Sequence, residues 1–379
     1  MGNLQTELKY SYNDVSIIPS ILSNVCHRGE CNPFVYDNML PLFTAPMDTV
    51  VSRTNYKEFY GEGITPILPR TEDLEIRKKY AMNGDWAAFS LQEFNDIFCN
   101  EEKKAPNGND KIRALIDVAN GHMACLYEAV RNAKNIYGMN IEIMVGNIAN
   151  PYTYRVAAES GVDYIRCGVG TGAGCITTSN TSVHYPIASL INETYLVKMD
   201  MIANGADRDR LPKIIADGGV RNYSDIIKAL GLGADYVMCG SIFAKMLESA
   251  APKSCDSLDF ITDVPIDKTL KNLENVHMED GLWEGEFHGR TIPLGNIWLK
   301  YYGMASKEGQ IAMNGAKKRT SEGISKKMKV EYTMNGWVRN FIDYLRSAMS
   351  YSNCNDLDMF KKYCNLTVIS NNTYNSVNK

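Results

Sequence analysis

Eight short apolar runs recur along the chain, and each is followed by a stretch long enough for a helix. Their hydrophobicity is continuous rather than alternating, which is typical of strands covered on both faces. The runs are PLFTAPM (41–47), GITPIL (63–68), WAAFSL (86–91), ALIDVA (114–119), IEIMVG (141–146), YIRCGVG (164–170), KIIADGG (213–219) and YVMCGS (236–241). Strands that alternate with helices predict a parallel sheet.

The residues that follow these runs favour one form of the sheet. Side chains able to do chemistry lie just past the predicted carboxyl ends of several strands: Asp48, Asn120, Asn147, Cys175, Asp217 and Ser241. An eight-stranded (β/α)8 barrel, the TIM barrel, builds its site on that face from many strands, whereas a doubly wound sheet concentrates the site at one switch point. The sequence therefore predicts an α/β protein, with a single TIM-barrel domain over residues 1–379.

The alternation of strand and helix stops after Lys245. A polar, acidic stretch at about 250–297 is predicted to be an excursion inserted after strand eight, with short strands or a hairpin of its own. Apolar residues return at helical spacing in 336–351, the predicted closing helix. The Asn-rich tail at about 352–379 is predicted to be partly disordered, above all in its last ten or so residues.

Charge and cysteine usage limit the class of partner and the compartment. A net charge of -4 and a pI near 5.8 disfavour nucleic acid and membrane surfaces as partners and favour a small molecule. Ten cysteines spread along the chain predict reduced thiols in the cytoplasm, and the first residues lack the apolar core of a signal peptide. Cys26, His27 and Cys31 form a loose cluster, either ordinary loop residues or a structural zinc site.

The segment GVGTGAGCITTSNTSVHYP, residues 168–186, is the richest in chemistry. Gly168, Gly170 and Ala173 satisfy a GxGxxA pattern, but the acidic residue of a dinucleotide fold, expected about 20 positions on, is missing. A Cys-x-Thr-Thr run after the glycines is also no helix start. We interpret the segment as a flexible catalytic loop that leaves Cys175 exposed among N–H donors, where its thiolate is favoured.

Several motifs together resemble the IMP dehydrogenase and GMP reductase family. They are TAPMDTV, LIDVANGH, GVGxGxxCxTxxxTxVxYP, IIADGGVRNYSDIIKALGLGADYVMCGSIFA, YYGMAS and RTSEG, in the family's order over roughly 14–351. The resemblance does not extend to the regulatory CBS pair of most IMP dehydrogenases, because only about 20 residues separate WAAFSLQEF from ALIDVANGH.

The resemblance implies a role for each motif. Cys175 is implied to be the nucleophile that attacks purine C2, with Thr177 and Glu322 moving protons. The implied substrate is a purine nucleoside monophosphate. Asp217 would contact its ribose, Gly218, Gly219, Gly240 and Ser241 would contact its phosphate, and the backbone of Met304, Ala305 and Ser306 would contact its base, with Arg319 and Ser321 completing the set. The nicotinamide cofactor would contact Asp117, Asn120, Gly121, Gly146 and Asn147. A homotetramer is also implied, together with a monovalent cation, K+, on the carbonyls of Gly170, Gly172 and Cys175.

The resemblance leaves two reactions, of which we expect the reductase. IMP dehydrogenases hydrolyse their adduct with a long flap that carries an Arg-Tyr pair, but this chain has no Arg-Tyr dipeptide and only 17 residues between Met304 and Glu322. LIDVANGH and RTSEG are also more similar to the reductase. The expected activity is therefore NADPH-dependent conversion of GMP to IMP and ammonia.

Departures from the family pattern keep other interpretations open. Ala173 replaces a serine that contacts phosphate, Thr178 an arginine, and His184 a glycine, while the family's His-Lys pair gives way to residues 68–70. His184 is thereby an additional acid/base candidate, against a purely structural histidine. The alternatives are an IMP dehydrogenase, an enzyme for a deoxy or modified guanine nucleotide, a non-catalytic nucleotide-binding homologue, and an unrelated flavin-dependent barrel.

Overall fold

The computed structural model describes residues 6–100, 111–172, 176–255, 276–279, 282–287, 290–293, 297–314, 320–321 and 323–377. Its strands are β1 Val15–Ile18, β2 Leu42–Thr44, β3 Ile67–Leu68, β4 Trp86–Phe89, β5 Ile112–Asp117, β6 Ile141–Ile148, β7 Tyr164–Cys167, β8 Lys213–Asp217, β9 Tyr236–Cys239, β10 Lys253–Cys255, β11 Val276–Glu279, β12 Leu282–Phe287, β13 Arg290–Pro293, β14 Ile297–Tyr302, β15 Ser325–Lys329 and β16 Asn365–Val368.

Helices follow most of the barrel strands. They are α1 Tyr56–Gly61, α2 Leu74–Met82, α3 Leu91–Phe98, α4 Ala124–Tyr137, α5 Thr153–Glu159, α6 Thr177–Thr181, α7 Ile187–Ala203, α8 Tyr223–Gly231, α9 Ser241–Ala244, α10 Lys307–Asn314, α11 Met334–Tyr351, α12 Leu357–Tyr363 and α13 Asn371–Val377. Among the described residues, none of these helices is both long enough and apolar enough to cross a membrane.

Strands β2 to β9 form one parallel sheet in the order β2-β9-β8-β7-β6-β5-β4-β3. Its two end strands also meet: Phe43 and Thr65 form a parallel bridge, and the Thr44 N–H donates to the Thr65 carbonyl at 3.0 Å. The sheet is therefore closed, and the predicted (β/α)8 barrel is confirmed. A doubly wound sheet, which stays open, is excluded.

Aromatic residues fill the amino-terminal end of the barrel. Trp86, Tyr164 and Tyr236 each begin a strand, and Phe43 lies among them, with ring centroids 5.0 to 6.1 Å apart and mostly tilted or edge-on. This is the arrangement that aromatic quadrupoles prefer. Because that end is packed solid, a ligand can enter the barrel only at the carboxyl ends of the strands.

The segments outside the barrel build smaller sheets. Strands β11, β12 and β13 form an antiparallel sheet in the stretch predicted to be an excursion, while β10, β14 and β15 form another. The carboxyl-terminal tail contributes two further elements. Residues 365–368 form β16, which pairs antiparallel with β1, and Asn371–Val377 are helical.

Candidate active site

The residues predicted to do the chemistry are only partly described. Cys175 and Glu322, together with Ala173 and Arg319, lie outside the described residues. Thr177 opens α6, and its side chain also lies outside the described part. The remaining predicted residues come from six different strand ends, and the structure brings many of them together around one buried arginine.

Arg166 is the residue that the sequence interpretation missed. It lies in β7 and is only 6% exposed. Its Nη1 donates to Asp117 at 2.7 Å, while Nε and Nη2 lie 3.0 and 2.8 Å from Oδ2 of Asp217. Asn147 donates to the same Asp217 oxygen at 2.7 Å. The Arg166 guanidinium therefore contacts both Asp117, which is predicted to bind the cofactor, and Asp217, which is predicted to bind the ribose.

This arrangement follows from the barrel's geometry and from electrostatics. Alternate residues of a strand point into the barrel, and Asp117, Arg166 and Asp217 lie at or next to the carboxyl ends of β5, β7 and β8. A buried charge is costly unless it is paired, so two carboxylates and one arginine stabilise one another where none would be stable alone. The Arg166 contacts use one oxygen of each carboxylate, Oδ1 of Asp117 and Oδ2 of Asp217.

A cavity of about 210 Å3 lies above this cluster. Asp117, Arg166 and Asp217 line its base, Pro46 and Met47 line one side, and the segment Gly303–Ala305 lines another. Gly172, three residues before Cys175, also contributes to the lining. The loop that carries the predicted nucleophile therefore reaches the cavity where the predicted nucleotide and cofactor residues meet.

A tight turn after β8 ties that loop to the barrel. Thr171 Oγ1 donates to the Asp217 carbonyl at 3.0 Å, and the Gly219 N–H donates to the Thr171 carbonyl at 2.9 Å. Gly218 has a φ of +99°, and a Cβ there would lie 2.2 Å from Thr171 Oγ1, so only glycine fits. Because its N–H is used by Thr171, Gly219 cannot donate it to a phosphate in this conformation.

The residues predicted to contact the cofactor lie together at the ends of β5 and β6. The Gly121 N–H donates to the Asn147 carbonyl at 2.8 Å, and the Asn147 N–H donates to the Val118 carbonyl at 2.9 Å. Gly146 pairs with Asp117 in the sheet. His122 anchors this group, because its Nε2 accepts from the Ala149 N–H and its Nδ1 lies 3.0 Å from Thr153 Oγ1. Burial lowers the pKa of His122, which favours the neutral ring.

The segment predicted to read the base follows β14. Met304 and Ala305 line the cavity, whereas Ser306 is buried and its Oγ accepts from the Gly309 N–H at 3.1 Å. A Cβ on Gly309 would lie 2.6 Å from the Met304 carbonyl, so α10 approaches the segment closely. Ser321 donates to the Gly323 carbonyl at 2.7 Å and lies 3.5 Å from that of Ala305. Met304 and Ala305 are therefore the members of the predicted set that face the cavity.

The predicted phosphate residues Gly240 and Ser241 lie where β9 passes into α9. The first N–H groups of any helix lack intrahelical partners, so Ser241 has a donor available there. A Cβ on Gly240 would lie 3.4 Å from the hydroxyl of Tyr301, a second residue that the sequence interpretation did not single out. Tyr301 also lines the cavity.

The remaining candidates are the predicted K+ ligands, His184 and the cluster of Cys26, His27 and Cys31. Thr178 donates to the Gly170 carbonyl at 3.2 Å, so this predicted K+ ligand already has a partner, and His184 Nδ1 lies 3.5 Å from Thr178 Oγ1. Cys31 is buried, Cys26 is exposed, and the His27 ring accepts from the Gly29 N–H. In the described part of the chain, no group of three or more His, Cys, Asp or Glu side chains could hold a metal ion.

Comparison with known proteins connects this geometry to a family. Residues 101–257, which include β5 to β9 and the Arg166 cluster, match the IMP dehydrogenase / GMP reductase domain. Over this stretch the chain is similar to members of that family. It is 26% identical to the GMP reductase of Phytophthora infestans over 96% of this chain and 91% of the relative. The GMP reductase of Staphylococcus carnosus is 25% identical over 97% and 98%, respectively.

Similarity to a dehydrogenase of the family is shorter. The inosine-5'-monophosphate dehydrogenase of Chlorobaculum parvum is 29% identical over 65% of this chain and 43% of its own length. The reductases thus match along nearly the whole chain, whereas this dehydrogenase matches part of it. The expectation that the chain is closer to the reductases is confirmed.

Proposed function

We propose that this chain is a GMP reductase that converts GMP to IMP and ammonia with NADPH as the reductant. The observation that carries the proposal is the similarity over nearly the whole chain to proteins named GMP reductase. The buried Arg166 cluster supports it, because it joins the predicted nucleotide and nicotinamide residues at one cavity. A reaction that moves hydride between two ligands needs such adjacency.

In this proposal the nucleotide spans the barrel mouth. The Asp217 oxygen that Arg166 leaves unused accepts from the ribose hydroxyls, and the phosphate lies at Gly218, Gly219, Gly240 and Ser241, with the Gly219 N–H freed from Thr171 by a small movement of the turn. The backbone of Met304 and Ala305 reads the purine. Arg319 and Ser321 complete the set.

Cys175 performs the covalent step. Its thiolate adds to purine C2, and the 2-amino nitrogen gains a proton and leaves as ammonia, with Thr177 and Glu322 carrying the proton. This leaves C2 joined to sulfur. Hydride addition at C2 and cleavage of the carbon–sulfur bond then give IMP and return the thiolate, so the overall change is loss of ammonia and a two-electron reduction.

The groups at β5 and β6 suit a nicotinamide. Bound NADPH supplies the hydride. A carboxamide needs both donors and acceptors, and Asp117 with one oxygen not used by Arg166, together with Asn120, provides both. Gly121 and Gly146 pack closely on Asn147 and Arg166, where a Cβ would lie 2.7 and 2.5 Å from the nearest atom, and Asn147 links this side to Asp217. A site held by Arg166 also stays ordered before the ligands arrive, which lowers the entropic cost of binding.

The test is absorbance at 340 nm with purified protein, GMP and NADPH. We expect NADPH consumption that is abolished in Cys175→Ala and retained in Cys125→Ala, since Cys125 is an exposed thiol on α4. NADH production from IMP and NAD would favour the dehydrogenase instead. No reaction with either pair would reject both standard substrates and direct the search to deoxy or modified guanine nucleotides.

The cation and the assembly complete the proposal. K+ would bind carbonyls of the loop Gly170–Cys175, which predicts that replacing K+ with Na+ lowers kcat. A homotetramer predicts a mass of four chains in light scattering, in the cytoplasmic setting that the cysteine usage favours.

A further inference from the structure

Two consecutive tyrosines of β14 contact two consecutive residues of the loop after β2. The Tyr302 hydroxyl donates to Asp48 Oδ2 at 2.8 Å, and the Tyr301 hydroxyl lies 3.9 Å from Met47 Sδ. Neighbouring residues of a strand point to opposite faces, so one contact is made from each face of β14. They connect parts of the chain that are 254 residues apart.

Both contacts lie next to the cavity. Pro46 and Met47 line one side of it and are followed directly by Asp48. Gly303, Met304 and Ala305 line another side and directly follow Tyr302. The hydrogen bond between Asp48 and Tyr302 therefore fixes the distance between the two cavity walls at the point where the predicted base-reading segment begins.

Tyr302 is the side chain that donates a hydrogen bond to the Asp48 carboxylate. The other carboxylate oxygen, Oδ1, is buried and has no hydrogen-bond partner in the described part of the chain. Burial raises the pKa of Asp48 above its ordinary value, and the hydrogen bond from the Tyr302 hydroxyl offsets part of that rise. Glu308 on α10 also faces Tyr302, but Lys300 lies 3.7 Å from it. Losing the hydroxyl would leave the carboxylate without a side-chain partner.

We propose that Asp48 and Tyr302 are positioning residues that hold Gly303–Ala305 where its backbone can read the purine. This inference rests on the proposed function and adds a specificity device to it. Neither side chain needs to touch the substrate. Their hydrogen bond sets the position of the segment before the nucleotide binds, so its loss should weaken nucleotide binding without slowing the chemical step.

The decisive variant is Tyr302→Phe, which removes one hydroxyl and keeps the ring. We expect KM and the calorimetric Kd for GMP to rise about tenfold, equivalent to about 1.4 kcal/mol, with kcat and the KM for NADPH within twofold of wild type. Asp48→Asn keeps an acceptor oxygen but loses the charge, so KM for GMP should rise less than in Tyr302→Phe, whereas Asp48→Ala should resemble Tyr302→Phe. Tyr344→Phe, at an exposed tyrosine on α11, is the matched control.

The pH profile separates positioning from a general packing effect. Protonation of Asp48 weakens a charge-assisted hydrogen bond, so KM for GMP should rise on the acid side in the wild type. It should stay flat in Asp48→Asn, which has no titrating group there, and in Tyr302→Phe, which has already lost the bond. Circular dichroism confirms that each variant is folded.

The outcomes distinguish this inference from the proposed function. If the wild type binds neither GMP nor IMP in calorimetry, the proposed function fails and the positioning role fails with it. If the wild type binds GMP and folded Tyr302→Phe binds it within twofold of wild type with the same pH profile, the positioning role alone is wrong.

Discussion

Arg166 balances two carboxylates inside the barrel, and its removal should be costly. Arg166→Met would leave Asp117 and Asp217, whose side chains are 20% and 15% exposed, near each other without their shared cation, and breaking a buried ion pair from one side costs about 3–5 kcal/mol. We expect a loss of this size in the free energy of unfolding, measured by urea denaturation at pH 7. Nucleotide binding should weaken as well, since Asp217 would lose its fixed orientation.

Arg155→Met is the matched control for Arg166→Met. Arg155 also pairs with an aspartate, Asp200, but the side chains are 41% and 55% exposed. Surface pairs contribute about 0–1 kcal/mol, so this variant should be nearly as stable as wild type. Equal losses in the two variants would show that the Arg166 cluster is not the electrostatic centre described above.

The role of Arg166 could not be predicted from local sequence. It lies in the apolar run YIRCGVG, and its partners are 49 and 51 residues away along the chain. Asp217 could be predicted as a site residue because it lies at the end of an apolar run, and Asp117 because it lies in the motif LIDVANGH. A signal for Arg166 did exist, because a charge inside a strand covered on both faces needs a buried counter-charge.

At the scale of elements, the ion pair of Arg77 on α2 with Glu93 on α3 ties two neighbouring helices together. Arg77 is buried, donates to Glu93 at 2.8 Å and also donates to the Ala88 carbonyl of β4. Glu93 in turn accepts from the Ser90 N–H in the capping box of α3. Burial raises the pKa of Glu93, but these hydrogen bonds outweigh it and lower the pKa to about 2.

A lowered carboxylate pKa predicts a specific pH dependence. The stabilisation is fully present above 4.5, the value for an ordinary glutamate, and is lost as the pH falls from there to about 2. Glu93→Gln keeps the cap acceptor but removes the charge. We expect it to be less stable than wild type by about 2 kcal/mol at pH 7, with the difference shrinking towards zero near pH 2 in urea denaturation.

Glu75→Gln on α2 provides the comparison for Glu93→Gln. Glu75 is 77% exposed and lies 3.8 Å from Lys78, so its removal should change stability little at either pH. A difference between wild type and Glu93→Gln that stays constant from pH 7 to pH 2 would contradict the ion-pair explanation.

The strands of the barrel could be predicted from the sequence, but the residues at which they begin and end could not. Continuous apolar runs identify strands covered on both faces, and all eight form the barrel. The run 63–68 yields only the two-residue β3, because Thr65 forms the bridge that closes the barrel while Pro66 has no N–H to donate. Closure of a barrel depends on strands far apart in sequence, which composition does not reveal.

At the scale of the whole molecule, the carboxyl-terminal segment belongs to the packed structure despite its Asn-rich composition. Phe360 on α12 is completely buried, and Lys361 donates to Asp235 at 2.9 Å, alongside Lys198. Cys364 packs so closely on α8 that a Cβ on Gly231 would lie 2.8 Å from its sulfur. The local composition does not reveal these contacts, because the partners lie on distant elements.

Truncation should therefore have opposite consequences on the two sides of β16. A chain that ends at Ser352 loses Phe360, Lys361 and the strand that covers β1, and it leaves Asp235 and Lys198 without Lys361. A chain that ends at Ser370 keeps all of these and loses only the terminal helix α13. We expect the first to unfold at a clearly lower temperature than the full chain and the second at nearly the same temperature, measured by scanning calorimetry.

Phe360→Ala provides the same test in the intact chain, with an expected cost in the free energy of unfolding of about 3–5 kcal/mol. Equal melting temperatures for the two truncated chains would mean that the segment 353–370 is not part of the cooperative fold.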